Sequence, residues 1–253
     1  MTAPQRDAAP TDFAELNWLA VAERVRADTR VLIPMGATEE HGYLSLASDS
    51  IYADYVTRQA CARVGVLRTP VVPFGPSAFA INFPGTLSMR TSTMCAIVED
   101  IIDCLYRQGF RRLVFATGHG GNEVITGVLS EAQIDRDGLS VYYYNCWDGM
   151  RDESRRISEE RGLGVCDHAA WYEVQADTRV APIPAGASQP VPADPDFPMF
   201  PLNPRTARRQ IPDGVVAGAY DIADDAETAR LREACVDHLT DFLQRLPAAA
   251  PER

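Results

Sequence analysis

The 253-residue chain reads as an α/β protein, a three-layer α/β/α sandwich with a mostly parallel central sheet, and three observations predict it. Four short apolar runs read as strands, and the first, Val31-Leu32-Ile33-Pro34-Met35, has the continuous hydrophobicity of a strand buried on both faces. Segments with apolar residues at helical spacing separate these runs. Glycine-rich loops carrying carboxylates and imidazoles follow the strands, where open α/β sheets form their ligand crevice.

Taken in order, residues 1–11 read as a disordered tail and 12–253 as a single domain, with no linker between independent units. Phe13 to Ala27 places Leu16, Leu19, Val21 and Val25 on one helical face ahead of the first strand. Ser50 to Val64 reads as a second helix, with Asp49 or Ser50 available to cap it; an aspartate there can cap or ligate. Val66 to Val72 is the next strand, followed by a Pro-Gly-rich loop. Thr91 to Gln108 is strongly amphipathic and ends at Gly109 in the C′ position. Arg112 to Ala116 is a strand leading through Gly118-His119-Gly120-Gly121-Asn122 into a helix over Glu123 to Arg136. Leu139 to Tyr144 is the last strand, and Arg151 to Arg161, charged nearly all round, reads as a solvated helix or flap. Cys166 to Glu173 opens another helix. Residues 182–215, rich in Pro, Asp and Asn, read as a long irregular lid or interface segment. Asp225 to Leu246 closes the chain as an amphipathic helix on which His238 is structural or solvated.

Composition removes several function classes. A net charge of -11 opposes a nucleic-acid partner. All 24 basic residues are arginine, so no lysine amine exists for a Schiff base or a P-loop. No apolar run is long enough to span a bilayer, and Met1 to Pro10 lacks a signal core, which predicts a cytoplasmic protein without a membrane partner. The six cysteines form no C-x-x-C pair and read as reduced structural thiols, Cys95 and Cys104 as small apolar groups within a helix. No G-x-S-x-G elbow or cysteine–histidine nucleophile motif is present.

The chemistry concentrates in a few loops. In Gly36-Ala37-Thr38-Glu39-Glu40-His41-Gly42, extended geometry lets Glu39 and His41 converge while Glu40 faces away, and Asp49 lies within a short loop's reach. One imidazole and two carboxylates are a ligand set for a divalent metal, with Zn, Mn or Fe as occupants. His119 sits at a second strand end, where glycines permit close backbone approach and a helix start offers free N–H groups. His168 and Glu173, five apart, share no helical face unless His168 precedes the first turn.

Pro34 to Gly42 resembles the metal-binding signature of the creatininase family, P-x-G-[SA]-x-E-Q-H-G with an aspartate downstream. Asn82-Phe83-Pro84-Gly85-Thr86, Thr117-Gly118-His119-Gly120-Gly121-Asn122 and His168-Ala169-Ala170-Trp171-Tyr172-Glu173 resemble three further elements, so the likeness runs from about residue 12 onward. It implies a metal-dependent amidohydrolase and a homo-oligomer, a hexamer by family habit. Glu39, His41, Asp49, His119 and Glu173 then supply five ligands, suited to two metals bridged by Asp49, which the resemblance also implies. His168 is left as proton donor to the departing nitrogen. The resemblance places Trp147 over the substrate and sets Asn122 beside it, although a Trp after a strand also covers core.

Where creatininase carries a glutamate two residues after the second histidine, this chain has Gly121, and Gly164-Val165-Cys166 replace its substrate-facing tryptophan. Creatinine is therefore disfavoured, no phosphate-binding cluster is evident, and the expected substrate is a small cyclic or linear amide: a lactam, a creatinine-like ring or a formamide. The alternatives are a cyclase running the reverse reaction and a catalytically silent homologue that binds a ligand or serves an assembly.

Overall fold

The computed structural model describes residues 9–163, 168–184, 203–215 and 223–249. After a 3-10 turn at Phe13–Glu15, α1 (Trp18–Ala27) begins at Asn17, whose side chain accepts a hydrogen bond from Ala20 N. That cap rotates the helix so that Val21 and Val25 reach the core while Leu19, expected inside, is exposed. Then follow β1 (Arg30–Met35), α2 (Ser48–Val64), β2 (Leu67–Arg68), α3 (Thr91–Arg107), β3 (Arg112–Thr117), α4 (Thr126–Glu131), β4 (Ser140–Asn145), α5 (Arg151–Glu160), α6 (Pro204–Gln210) and α7 (Asp225–Arg245).

Among the described residues the strands form one all-parallel sheet in the order β2-β1-β3-β4. Both faces are covered, so strand residues partition by parity. Leu32, Val114, Ala116 and Tyr144 join a core with Tyr52, Val56, Trp171, Leu231, Cys235 and Leu239, which is the layer of α2 and α7. Val31, Ile33, Met35, Leu113 and Phe115 join the opposite core with Met94, Val98, Ile102 and Leu105 of α3. The sandwich expected from the sequence is the one observed.

Several expected boundaries change. The strand expected over Val66 to Val72 is paired only at Leu67 and Arg68, with an isolated bridge from Met35 to Val72; Pro70, between them, has no N–H to give the ladder. The helix expected from Glu123 is a 3-10 turn over Gly120–Ile125 followed by six α-helical residues. The third histidine segment opens only a 3-10 turn, Trp171–Glu173. Cys104 lies in α3 but faces solvent. Most of the 182–215 segment and the tail's first eight residues lie outside the described residues, but Pro204–Gln210 is helical rather than irregular, with Asn203 as cap and proline in the first turn. Among the described residues no helix is long and apolar enough to cross a membrane.

Candidate metal centre

The carboxyl ends of β1 and β3 are adjacent, with Met35 level with Thr117, and this sets the loop of Glu39 and His41 beside that of His119. The third contributor is α2. Asp49 lies in its first turn, and no side-chain hydrogen bond caps that end, so the carboxylate is left to ligate. The helix start sits directly on the β3 loop: a Cβ built at Gly118 would lie 2.4 Å from the Asp49 carbonyl oxygen, so glycine alone permits this approach. The fourth piece is a kink. Ala169 adopts φ 51°, and the 3-10 turn that follows folds Glu173 back so that its Oε1 accepts from Ala170 N at 3.0 Å. A left-handed alanine costs about 1 kcal/mol, and it brings His168 and Glu173 to one site without a helix.

All five expected ligands meet and are buried. His41 Nε2 is 3.1 Å from Asp49 Oδ1 and 3.2 Å from Glu173 Oε2. His119 Nδ1 is 2.9 Å from Asp49 Oδ2 and 3.5 Å from Glu39 Oε2. Two triads able to hold a metal result, His41/Asp49/Glu173 and Glu39/Asp49/His119, sharing Asp49; a third, Glu39/His41/His168, adjoins them. Each imidazole has a backbone acceptor at its other nitrogen: His41 Nδ1 is 3.1 Å from Glu39 O and His119 Nε2 is 2.8 Å from Pro76 O. With those nitrogens donating, lone pairs at His41 Nε2 and His119 Nδ1 face carboxylate oxygens, a contact that only a cation between them makes favourable.

The donor set fits a pair of divalent cations. Glu39 Oε1 is buried without a hydrogen-bond partner, the condition expected of an oxygen kept for a metal. Without metal, protons take that place. Burial lowers the proton affinity of His119, but Glu39 and Asp49 outweigh it and hold its pKa up to about 9. His41 is likewise raised against burial, by Asp49 and Glu173. Burial also acts to raise Asp49, yet the two imidazoles pull it below the usual carboxylate range. Glu39, where burial dominates, is raised.

His168 stands beside the triads. Its ring centroid is 4.7 Å from that of His41, its Nδ1 3.6 Å from Glu39 Oε2, and its Nε2 3.1 Å from Glu40 Oε1. Glu40, expected to face away, is therefore the residue sequence reasoning missed. It is buried, its Oε2 accepts from Gly42 N at 3.1 Å, and it holds the His168 ring. The loop is curled rather than extended, with Gly42 at φ 57°, so alternation does not apply.

The centre opens into a cavity of about 720 Å³, lined also by Asn145, Trp147, Tyr172 and one face of α5. Trp147 stacks on Tyr52 with centroids 3.5 Å apart and donates from Nε1 to Gly118 O, so it covers core with one face and lines the cavity as well. Asn122 does not line the cavity. It is fully buried, and its Nδ2 donates to Gly36 O and Thr117 Oγ1, tying the β1 loop to β3. His238 is remote and accepts or donates at Tyr144 Oη, 2.6 Å away.

The family model for creatininase, described as creatinine amidohydrolase, matches residues 14–243. The chain belongs to the creatininase family. A creatininase-family relative, the creatinine amidohydrolase of Pseudomonas putida, is 28% identical over 250 residues, covering 91% of this chain and 95% of its own length. The mycofactocin precursor peptide peptidase of Mycobacterium tuberculosis is 32% identical over 117 residues, 40% of this chain and 43% of the peptidase. A crystal structure of creatininase superposes with a TM-score of 0.77 at 25% identity, covering 95% of this chain and all of that one. Further creatininase structures that match with TM-scores of 0.75 and 0.74 are a zinc–zinc form of a mutant and a manganese form, each 25% identical over 92% of this chain and 97% of its own.

Proposed function

We propose that this creatininase-family protein is a metal-dependent amidohydrolase that cleaves the C–N bond of a small cyclic or linear amide in the cavity above the sheet. The observation that carries this reading is the pair of buried triads sharing Asp49, with each imidazole's other nitrogen on a backbone carbonyl. Glu39, Asp49 and His119 would hold one cation, His41, Asp49 and Glu173 the other, with Zn, Mn or Fe compatible with this oxygen and nitrogen set. Two such cations supply Lewis acidity toward an amide carbonyl and bring a water's pKa near neutrality.

The chain's own residues do the rest. Asp49 fixes the spacing of the two halves because both imidazoles point at it. His168, held at Nε2 by Glu40, delivers a proton to the leaving nitrogen as water's oxygen joins the acyl carbon. Trp147, braced by Tyr52 and Gly118 O, forms the apolar wall against which the amide lies. Gly214 closes this side: a Cβ there would fall 1.9 Å from Glu40 Oε2, so its backbone packs on the carboxylate that positions His168. A homo-oligomer, a hexamer by resemblance, belongs to the same proposal.

The test is metal analysis together with amide turnover. Protein purified without chelator is expected to carry close to two equivalents of Zn, Mn or Fe and to release amine or acid from a panel of lactams, formamides and dipeptides. Less than one equivalent with no turnover would favour a silent homologue, and net ring closure from the open acid would favour a cyclase.

A further inference from the structure

One face of α5 is turned into the cavity. Arg151, Ser154, Arg155, Ser158 and Glu159 line it, and their spacing of three, four, seven and eight is that of a single helical stripe. The segment expected to be a solvated helix or flap is thus a wall of the cavity. The two serines turn their hydroxyls back on the helix, Ser154 to Arg151 O at 3.2 Å and Ser158 to Ser154 O at 2.8 Å, and Ser158 Oγ also accepts from Trp171 Nε1 at 3.1 Å.

The arginines divide in an informative way. Arg151 pairs with Asp148 at 2.6 Å, Arg156 with Glu153 at 3.0 Å and Glu160 at 2.5 Å, and Arg161 with Glu227 at 2.9 Å. Arg155, the arginine of α5 that lines the cavity without such a contact, has no carboxylate partner among the described residues. Its neighbour Glu159, also on the cavity, does not take it either. In a chain of net charge -11 the general field repels anions, so an anion entering this cavity needs a local cation to receive it.

We propose that Arg155 is a specificity-determining residue that receives a carboxylate at the far end of the substrate, so that the amide cleaved here carries a free carboxylate, as N-acyl amino acids and lactam acids do. This rests on the amide-cleavage reading for the identity of the reacting bond. A guanidinium fork matches a carboxylate in two parallel hydrogen bonds. Glu159 beside it limits the tolerated charge to one, which selects a carboxylate over a phosphate dianion. Arg151, engaged by Asp148, has the secondary role of keeping the approach cationic.

The experiment uses two probes, N-formylglycine and its neutral twin N-formylglycinamide, on wild type and Arg155→Gln. The substitution keeps an exposed, helix-favouring side chain and removes only the charge. Binding is followed by calorimetry and formate release in parallel. Wild type is expected to bind the acid about tenfold more tightly than the amide, and Arg155→Gln to reduce that preference to about twofold or less. Equal binding of the two probes by wild type, or a preference unchanged in Arg155→Gln, would overturn the assignment; the second result would place the carboxylate on the metal centre. A preference that depends on Arg155 without formate release supports the assignment and counts against amide cleavage. Formate release from both probes at rates indifferent to Arg155→Gln does the reverse.

Discussion

Removing the metals should make the protein's stability fall as pH rises from 6 to 9, the opposite of what acid denaturation alone would produce. In the metal-free centre the carboxylates of Glu39 and Asp49 raise His119 from its ordinary 6.5 to about 9 against the cost of burial. A group that binds its proton more tightly in the folded state contributes stability that is complete below its unfolded pKa and is lost as pH climbs through the folded one. For His119 this is on the order of 3 kcal/mol between pH 6.5 and 9. His41, His168 and Glu39, also raised, act with the same sign, while Asp49 is lowered, and its contribution is constant above about pH 4. In a domain of this size 3 kcal/mol corresponds to roughly 10 °C in Tm. Scanning calorimetry of chelator-treated protein at pH 6, 7.5 and 9 is expected to show that fall, and protein reloaded with Zn or Mn to show little of it, because cations replace the protons between imidazole and carboxylate. A metal-free Tm that is level or rises over this range would refute the account of the centre as a site held together by protons in the absence of metal.

Three further outcomes follow from the same geometry. Asp49→Ala removes the carboxylate shared by both triads and should abolish both metals, read as equivalents by elemental analysis. His168→Ala should retain metal and lower kcat by about 10²- to 10⁴-fold, with the metal content of the same sample as control. Gly121→Ala sets a Cβ 2.1 Å from Pro76 O and 2.4 Å from His119 Nε2, so it should cost about 1–3 kcal/mol of stability and weaken metal retention, measured by thermal unfolding and dialysis.

The parts of the molecule legible in the sequence are those fixed by local pattern. The strands β1, β3 and β4 announce themselves as apolar runs, and Glu39, His41 and His119 are found because a glycine-bounded loop after a buried strand has one place to go. What escaped depends on partners distant in sequence. Glu40 is turned inward by His168, 128 residues away, and no periodicity in the twelve-residue loop between β1 and α2 encodes that contact. The inward stripe of α5 had a signal, since Ser154, Ile157 and Ser158 interrupt a charged helix at spacings of three and four, but high overall charge masked it. The convergence of His168 and Glu173 rests on an alanine in a glycine's conformation, which residue type argues against.

That last feature connects to the missing glutamate after His119. His119 donates to Pro76 O across the space where a side chain at position 121 would project, so any residue larger than glycine there competes with the hydrogen bond that orients the imidazole. A carboxylate for the His41 half of the proposed centre must then come from elsewhere, and Glu173 occupies that place, with one oxygen held by Ala170 N and the other 3.2 Å from His41 Nε2. The strained turn at Ala169 and the glycine at 121 thus belong to one arrangement, in which the ligand comes from the turn after His168 and the loop after His119 is free to pack against Pro76. Gly121→Glu alone should therefore fail to add a ligand and should instead displace the Pro76 loop, whereas Glu173→Gln should release the metal of the His41 half first.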